Sequence, residues 1–331
     1  MSKLTCRICG KSDDNRKYVV KEMMFGSHEE FEYFLCSECG CLQINHIPED
    51  LSRFYPPTYY SFNPNISSPT DKSGLRKALE QLRVKNALFG RGFKLAKLAS
   101  QLVDLPPRLS EIGPWLKKCG IQSMDAKFLD VGSGSSSWWL NDLKAIGFRN
   151  LMGVDPYIDS DINENGIQTQ KGRLDEVQGS FDLITLHHSL EHVPDQVETM
   201  KTIRSLLRPG KFCLIRIPVV SSTVWEQYGT DWVELDAPRH LYLHSLKSIE
   251  HVGVKAGLKL VDHFCDSTEF EFWGSEQNRR GIPLRAEDSF SENPSMSSFT
   301  YREMADFKKR AEEANLSGQG GRGCFIFQAI Q

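Results

Sequence analysis

The sequence predicts an α/β fold preceded by a small cysteine-rich module. A strand, a glycine-containing loop, a helix and a second strand follow one another in residues 128–156. Strand-like and helix-like stretches then alternate towards the end of the chain, as in a mostly parallel sheet covered by helices. Two Cys-x-x-Cys pairs lie near the N-terminus. A length of 331 residues suggests about two domains, and we expect a zinc-binding ribbon at 1–62, a linker and helical segment at 63–120, and the α/β domain at 121–331.

Composition excludes several functional classes. Hydrophobic residues make up 40% and charged residues 25% of the chain, as in an ordinary globular protein. A net charge of −3 argues against nucleic acid or an acidic membrane as the main partner. No apolar run reaches transmembrane length, and the first residues lack the apolar stretch of a secretory signal. We therefore expect a cytoplasmic protein whose nine cysteines are reduced or bind metal.

The cysteine pairs predict a metal site. Cys6-x-x-Cys9 and Cys36-x-x-Cys39 supply the four thiolates that suit tetrahedral zinc. Iron in the same cage and four unligated thiols are the alternatives, and Cys41 is a spare thiol that can replace Cys39. An all-sulfur cage has no open position, so this zinc is expected to be structural. The module is rich in Asp and Glu, which favours a packing or substrate-gating role over nucleic-acid binding.

The segment 63–120 is predicted to begin as a linker and to continue as helices. Ser, Pro and Asn dominate the linker, whereas leucines recur at helical spacing from Leu75 onward. Four aromatic residues lie just before this segment: Tyr55, Tyr59, Tyr60 and Phe62. They are expected either to form a lid over a bound ligand or to fix the module to the next domain. The lysines and arginines between the leucines are expected to be solvated.

Residues 128–156 carry the clearest functional signal. An apolar strand ends in a glycine and serine loop, a helix is predicted over 137–146, and Gly147 follows as its C-cap. A second strand, 151–154, ends at Asp155. This is a βαβ unit with a nucleotide-type loop at its first turn.

The charge of Asp130 indicates which kind of ligand suits that loop. A dinucleotide would place its pyrophosphate on the loop and the helix N-terminus, but Asp130, two residues before Gly132, would repel it and attract an α-ammonium group. The third glycine of G-x-G-x-x-G is replaced by Ser137. Asp155 is placed to accept hydrogen bonds from a ribose diol. A ligand with a ribose, an ammonium and no phosphate fits these residues, and S-adenosylmethionine has this profile.

The pattern Asp130-x-Gly132-x-Gly134 with Asp155 resembles the first two motifs of class I S-adenosylmethionine-dependent methyltransferases. The alternative is an ordinary strand–turn–helix whose glycines serve turn geometry only. The resemblance implies a Rossmann-like sheet of seven strands with the last strand antiparallel. It also implies these cofactor-binding residues: Asp130, Gly132, Ser133, Gly134, Asp155, Pro156, Arg173, Leu174 and His187.

A buried strand, 181–186, runs directly into His187, His188 and the stretch 189–194. This stretch resembles the fourth motif of the same family, which lines the methyl-transfer site, and ligands sit beyond the carboxyl ends of parallel strands. A metal site on the two adjacent histidines is not expected, because their side chains point to opposite sides of an extended strand. His192 is interpreted as a helix-start or core contact. A helix over 195–207 and a strand over 211–218 follow.

The insertion after that strand, 219–246, is predicted to bind the acceptor. Its pattern Trp232…Asp236-x-Pro238-Arg239-His240-Leu241 resembles bacterial methyltransferases that also carry an N-terminal four-cysteine zinc module. Many of that group act on nucleotide sugars or on small molecules of envelope and antibiotic pathways, so polysaccharide biosynthesis is the implied setting. Arg239 is expected either to hold an anionic group of the substrate or to have a structural role in a helix cap or a salt bridge.

Removal of a hydroxyl proton during methyl transfer needs a base that titrates near neutrality. His240 is the first candidate and His188 the second, and a structural hydrogen bond is the alternative for His240. Towards the C-terminus, a strand is predicted at 258–265, an amphipathic helix at 301–314 and a final apolar strand at 324–330, whereas 266–298 shows no clear pattern.

The sequence thus predicts an S-adenosylmethionine-dependent methyltransferase acting on a small molecule, with a sugar or nucleotide-sugar hydroxyl favoured. An NAD-dependent oxidoreductase is disfavoured by Asp130 and Ser137. A non-catalytic zinc-ribbon interaction protein with a degenerate Rossmann-like domain remains an alternative. So does an RNA methyltransferase, which the acidic module and the net charge disfavour. No oligomeric state is predicted.

Overall fold

The computed structural model describes residues 4–56, 74–90, 102–295 and 299–330. The predicted linker, the aromatic residues Tyr59, Tyr60 and Phe62, and the helical prediction over 91–101 lie outside the described residues. Among the helices of the described part, none is both long and apolar enough to cross a lipid bilayer.

The described residues contain strands that form two sheets, together with helices that cover them. In chain order the strands are β1 (Arg16–Lys21), β2 (Glu30–Leu35), β3 (Leu42–Ile44), β4 (Lys127–Val131), β5 (Asn150–Asp155), β6 (Ile162–Glu164), β7 (Ile167–Lys171), β8 (Phe181–His187), β9 (Leu207–Pro218), β10 (Tyr242–Leu243), β11 (Leu258–Cys265) and β12 (Arg322–Ala329). The α-helices are α1 (Gly74–Phe89), α2 (Leu109–Lys118), α3 (Trp138–Ile146), α4 (Gln196–Leu206), α5 (Thr223–Tyr228), α6 (Leu246–Lys255), α7 (Phe270–Arg279) and α8 (Tyr301–Leu316).

The large sheet has the strand order β11-β12-β9-β8-β4-β5-β7-β6. Strands β9, β8, β4, β5 and β7 pair in parallel, and β12 lies antiparallel between β9 and β11. The predicted Rossmann-like sheet of seven strands with an antiparallel last strand is confirmed. The short strand β6 adds an antiparallel edge beside β7. From β4 the chain builds the sheet outward on one side and returns to β8 on the other, so the carboxyl ends of β4 and β8 flank the switch point where such sheets bind ligands.

Side chains alternate across the parallel strands and build one core on each face of the sheet. Phe128 and Leu183 pack with residues of α2 and α3, whereas their chain neighbours Leu129 and Ile184 pack with residues of α4 and α6. Each of these four side chains is at most 1% exposed. Burial on both faces explains why these strands are continuous apolar runs in the sequence.

The N-terminal sheet is completed by a strand from the other end of the chain. Its order is β1-β2-β3-β10, and β10 belongs to the insertion after β9. Tyr242 pairs with Gln43, and Leu243 pairs with Leu42. The cysteine-rich module therefore shares a sheet with the insertion that was predicted to bind the acceptor. The segment boundaries given above remain predictions.

Two stretches differ from the sequence expectations. Strand β9 begins at Leu207 rather than at 211, because Leu207 pairs with Phe181 and the register then shifts before Phe212 pairs with Leu183. The Arg-Pro-Gly stretch expected to precede the strand lies within this shift, with Gly210 at φ +71°. Helix α7 occupies part of 266–298, for which no element was predicted.

Candidate active site

A glycine loop joins β4 to α3 at the switch point of the sheet. Gly132 and Gly134 have φ values of +72° and +61°, which favour glycine. A Cβ at Gly132 would lie 2.5 Å from the Ser189 Cβ. Ser137 caps α3 by accepting a hydrogen bond from the Leu140 amide at 3.1 Å. The loop thus has the backbone conformation and close packing that the sequence pattern indicates.

Asp130 and Asp155 both face this loop. The carboxylate of Asp130 accepts hydrogen bonds from the hydroxyls of Ser137 at 2.6 Å and Thr185 at 2.7 Å. Burial raises its pKa to about 6, although these two hydrogen bonds act in the opposite direction. The carboxylate of Asp155 accepts the backbone amides of Gly134 at 2.9 Å and Tyr157 at 2.8 Å. Each carboxylate oxygen therefore takes one donor from the chain and retains a second acceptor position.

The other predicted cofactor residues differ in their surroundings. Ser133 is buried and its hydroxyl donates to the Gly134 carbonyl at 3.2 Å, whereas Pro156 is exposed. The turn after β7 approaches Asp155, whose carbonyl accepts the Gly172 amide at 3.2 Å. Leu174 in that turn is half-buried against the core. Arg173 is exposed and its side chain pairs with Asp175 at 3.0 Å.

His187 and His188 occupy different environments at the end of β8. The His187 ring lies 5.0 Å from both the Trp138 and Trp139 rings, and neither ring nitrogen has a hydrogen-bond partner among the described residues. Burial, with a smaller effect of Arg216, holds the pKa of His187 well below its usual range. His188, at φ +52°, leaves the extended strand and lines a cavity on the other side. Burial likewise depresses the pKa of His188.

The insertion places His240 at the same cavity. Its Nδ1 lies 2.7 Å from the Glu234 carbonyl oxygen, which only accepts, so this nitrogen carries the proton and Nε2 has the free lone pair. Burial lowers the pKa of His240 even though Asp236 opposes this shift. The structure therefore contains the predicted structural hydrogen bond and also leaves one ring nitrogen available.

Arg239 forms a buried salt bridge instead of facing the substrate. Its guanidinium lies 2.8 Å from Glu22 and 2.6 Å from Asp236, and its side chain is fully buried. Glu22 also accepts the amides of Met24 and Phe25. Of the two roles considered for Arg239, the structure supports the salt bridge, which joins the cysteine-rich module to the insertion.

A cavity of about 630 Å³ lies beyond the carboxyl end of β8, within the range of small-molecule sites. Residues of β1 and the following loop, the insertion, α7 and the first residue of β12 form its wall. Its aromatic lining residues are Trp232, Phe270, Trp273 and Phe290. Its polar lining residues include His188, Glu234, Asp236, His240 and Arg322. Arg322 pairs with Glu234, and both are buried.

Two consecutive residues at the end of β8 face the glycine loop and the cavity. Ser189 donates a hydrogen bond from its hydroxyl to the Val131 carbonyl at 2.8 Å and packs against Gly132, while its neighbour His188 lines the cavity. Ligands bound on the loop and in the cavity would therefore meet near the end of β8.

The four predicted cysteine ligands converge. The Sγ atoms of Cys6 and Cys39 are 3.7 Å apart, those of Cys9 and Cys36 are 3.5 Å apart, and all four lie within 4.8 Å of one another. Tetrahedral coordination with metal–sulfur bonds of about 2.3 Å places the sulfurs about 3.8 Å apart, so the cluster fits a metal ion. The Cys41 thiol instead points to the Leu42 carbonyl at 3.6 Å.

Sequence reasoning missed buried charged residues at and near the cavity. Glu191, Glu271 and Arg322 were not singled out, yet all three are less than 9% exposed. Burial raises the pKa of both Glu191 and Glu271 to about 8. The only sequence signal for Glu191 was its position just after β8, beside the histidines.

The fold and the loop define a class I S-adenosylmethionine-dependent methyltransferase domain. The family described as "Methyltransferase domain" matches residues 96–263, about half of the chain, and the chain belongs to this family. The demethylmenaquinone methyltransferase of Staphylococcus saprophyticus is 26% identical over 112 residues, covering 29% of this chain and 45% of that protein. The chain thus spans less than half the length of this curated relative.

Solved methyltransferase structures align with this chain at low similarity. An S-adenosylmethionine-dependent methyltransferase from Mesorhizobium loti aligns with 66% of this chain and 97% of its own, at 16% identity and a TM-score of 0.39. The phosphoethanolamine N-methyltransferase 2 of Haemonchus contortus, in complex with S-adenosyl-L-methionine, aligns with 80% of this chain and 62% of its own, at 15% identity and a TM-score of 0.40.

Proposed function

We propose that this protein transfers a methyl group from S-adenosylmethionine to a hydroxyl of a small molecule, and that a sugar or nucleotide sugar is the favoured acceptor. The observation that carries this proposal is the position of a cavity of small-molecule size next to the residue that packs against the glycine loop. His188 and Ser189 link the two at the end of β8. In this arrangement, donor and acceptor would be held side by side, which is the main requirement of methyl transfer.

On the donor side, S-adenosylmethionine supplies an electrophilic methyl group on a sulfonium. The loop residues Gly132, Ser133 and Gly134 would hold its methionine part, because their backbone permits close approach. Asp155, next to Pro156, would accept the ribose hydroxyls through its free lone pairs. The negative charges of two aspartates suit a cationic ligand better than a pyrophosphate.

The remaining predicted cofactor residues receive more limited roles. Asp130 would favour the cation by its charge, while its hydrogen bonds to Ser137 and Thr185 fix the start of α3. Leu174 would offer an apolar surface near Asp155, and Arg173 is held by Asp175. His187 would contribute through its position among the tryptophans beside α3.

On the acceptor side, the cavity combines aromatic faces with carboxylates, a combination that suits a sugar ring and its hydroxyls. Lys21 and Arg285 also line it and would attract the phosphates of a nucleotide sugar. The free Nε2 of His240 is a proton acceptor for the attacking hydroxyl, and His188 is the second candidate. Walls from several elements would limit the access of water, which competes as an acceptor.

We also propose that Zn²⁺ occupies the four-cysteine cluster and has a structural role. The sulfur spacing and the absence of an oxygen or nitrogen donor among these four ligands support this assignment. The cluster connects to the insertion, since the Ser245 hydroxyl donates to the Cys39 carbonyl at 2.5 Å. Metal analysis of the purified protein should find one zinc per chain that Cys36→Ser lowers, and a zinc-free, folded wild type would contradict the assignment.

Titration calorimetry tests the donor. Wild-type protein should bind S-adenosylmethionine, and Asp155→Asn should weaken binding by about tenfold or more, because a charged acceptor becomes a neutral amide. Exposed Glu312, on α8, provides the control Glu312→Gln, which should bind like the wild type. Binding of NAD without binding of S-adenosylmethionine would overturn the proposal.

A screen of nucleotide sugars and free sugars tests the acceptor. Mass spectrometry should detect the addition of one methyl group to a hydroxyl of at least one of them. Methylation of RNA in place of every sugar would refute the acceptor assignment while leaving the donor assignment intact.

A further inference from the structure

A fully buried carboxylate lies beside the cavity without a hydrogen-bond partner. The Glu191 side chain is 0% exposed, and neither oxygen forms a hydrogen bond to any described residue. Its closest approach to another ionisable group is 3.3 Å, from Oε1 to the His188 Nδ1. A buried carboxyl group without a hydrogen-bond partner is costly whether it is ionised or protonated, so its presence calls for a partner that the described residues do not supply.

Two imidazoles converge on the same point. One ligand atom from each of Glu191, His192 and His240 lies within 4.8 Å of the other two. The distance from the His240 Nε2 to the Glu191 Oε1 is 3.9 Å. A metal about 2.1 Å from each ligand atom needs these atoms roughly 3–3.5 Å apart. The difference between the observed distance and the required distance is small enough for side-chain rotation to close.

Each imidazole has one ring nitrogen held by a backbone carbonyl, as is usual for metal-binding histidines. The Nδ1 of His240 lies 2.7 Å from the Glu234 carbonyl oxygen, and that of His192 lies 2.9 Å from the Arg239 carbonyl oxygen. A carbonyl only accepts, so each ring donates from Nδ1 and keeps the lone pair of Nε2. Hydrogen bonding of one ring nitrogen to a carbonyl fixes the tautomer and raises the basicity of the other nitrogen.

The surrounding charges favour a cation. The Asp236 Oδ2 lies 3.8 Å from the His240 Nε2, which brings a second carboxylate towards the same point. The guanidiniums whose charges act on Glu191, those of Arg216 and Arg322, already pair with Asp266 and Glu234. Among the described residues, Glu191 itself pairs with no guanidinium.

We propose that Glu191, His192 and His240 bind a divalent transition-metal ion at the wall of the acceptor cavity. Two imidazoles and one carboxylate suit Mn²⁺, Fe²⁺, Co²⁺ or Zn²⁺ better than Mg²⁺ or Ca²⁺. Three protein ligands leave coordination positions open, and His240 and its neighbour His188 line the cavity. The open positions would therefore receive a hydroxyl of the acceptor.

This role of the ion rests on the proposed function and sharpens it. His240 becomes a ligand, and His188 is left as the candidate proton acceptor of the cavity. The metal would favour acceptors whose hydroxyl oxygen can coordinate it, such as sugars with neighbouring hydroxyls. The site differs from the cysteine cluster in chemistry, because oxygen and nitrogen donors replace thiolates.

Titration with Mn²⁺, followed by electron paramagnetic resonance of the free ion, tests the site directly. The protein is first loaded with one equivalent of zinc per chain, which the four thiolates bind in preference to a site of nitrogen and oxygen donors, and the cysteine cluster itself has little affinity for Mn²⁺. The wild type should bind one Mn²⁺ per chain. Glu191→Gln and His240→Gln should each weaken binding by about tenfold or more, whereas the exposed control Glu312→Gln should not.

Two outcomes would overturn the proposal. One is a wild type that binds no Mn²⁺, Co²⁺ or additional Zn²⁺. The other is a Glu191→Gln variant that binds Mn²⁺ as tightly as the Glu312→Gln control. Binding of S-adenosylmethionine, measured on the same samples, shows that the variants are folded. If the wild type fails to bind S-adenosylmethionine, the proposed function is refuted. The metal titration, which uses neither substrate, would still decide whether the metal site exists.

Discussion

Replacing Asp130 by Asn should stabilise the free protein and weaken its binding of the cofactor. Burial raises the pKa of this carboxyl from 3.8 to about 6, despite hydrogen bonds from Ser137 and Thr185. At 1.36 kcal/mol per pKa unit, ionisation of this side chain in the folded state costs about 3 kcal/mol. The side chain is 3% exposed, so solvent does little to reduce this cost.

The amide of an Asn at this position would keep both hydrogen bonds. Its oxygen would accept from Ser137, whose own lone pair caps the Leu140 amide. Its NH₂ would donate to the Thr185 hydroxyl, which lies 3.4 Å from the Leu129 carbonyl and can donate there instead. We therefore expect Asp130→Asn to raise the free energy of unfolding by about 1–3 kcal/mol at pH 7.5.

The stabilisation should depend on pH with a defined sign. Because the folded-state pKa of Asp130 is the higher one, the unfolded state releases its proton first as the pH rises. The wild type therefore loses stability between about pH 4 and pH 6, and the advantage of Asp130→Asn at pH 5 should be about half of that at pH 7.5. Urea unfolding followed by tryptophan fluorescence measures both values.

The same variant tests the charge argument for the cofactor. Loss of the negative charge should weaken binding of S-adenosylmethionine by roughly 10- to 100-fold. The control Asp288→Asn, at an exposed position, should change neither stability nor binding. A destabilisation above about 1 kcal/mol, or an equal effect at both pH values, would refute the electrostatic reasoning. Unchanged affinity for S-adenosylmethionine would show that the Asp130 charge does not select the ligand.

Three further substitutions test other features. Gly132→Ala places a methyl group on a residue with φ +72°, 2.5 Å from the Ser189 Cβ. It should therefore lower the free energy of unfolding by about 1–3 kcal/mol and abolish binding of S-adenosylmethionine measured by calorimetry. A variant with wild-type affinity would refute the role of the loop. Arg239→Met removes the guanidinium partner of Glu22 and Asp236 and should lower the free energy of unfolding, measured with urea, by about 3–5 kcal/mol. A loss below about 1 kcal/mol would show that the salt bridge is not what joins the module to the insertion. Asp182→Asn should lower the free energy of unfolding by about 1–3 kcal/mol at pH 7, because burial raises the pKa of Asp182 less than the Lys127 amide and Arg208 lower it. This stability is present above the ordinary carboxyl pKa and is lost as the pH falls through the lower folded-state pKa. The unfolding curves of wild type and variant should therefore differ less at pH 3 than at pH 7, and an equal difference would contradict the ion pair.

The features that the sequence predicted well are those set by nearby residues. The helix α3 begins after Ser137 and ends at Gly147, because a hydroxyl cap and a left-handed glycine act within one turn of the chain. The strands β4, β5 and β8 are continuous apolar runs, so their bounds fall within one or two residues of expectation. The four cysteines converge because metal-ligand spacing is itself a local pattern.

The features that the sequence did not predict depend on contacts between distant residues. Strand β10 has two residues and exists because Leu42 and Gln43 pair with it. The burial of Glu191 follows from the packing of the insertion over the end of β8, which no periodicity reveals. The sequence left two kinds of role open for Arg239, and its partner Glu22 could not be anticipated because it lies 217 positions away in the chain.

The cavity wall brings distant parts of the chain together. Val20, Lys21, Met23 and Met24 line the same space as Arg322, although some 300 residues separate them, whereas the glycine loop and its two aspartates span fewer than 30. During synthesis, the central βαβ unit can form its short-range contacts early, but the cavity cannot close until β12 has been made. A truncated or stalled chain would thus keep the glycine loop but lack a complete cavity.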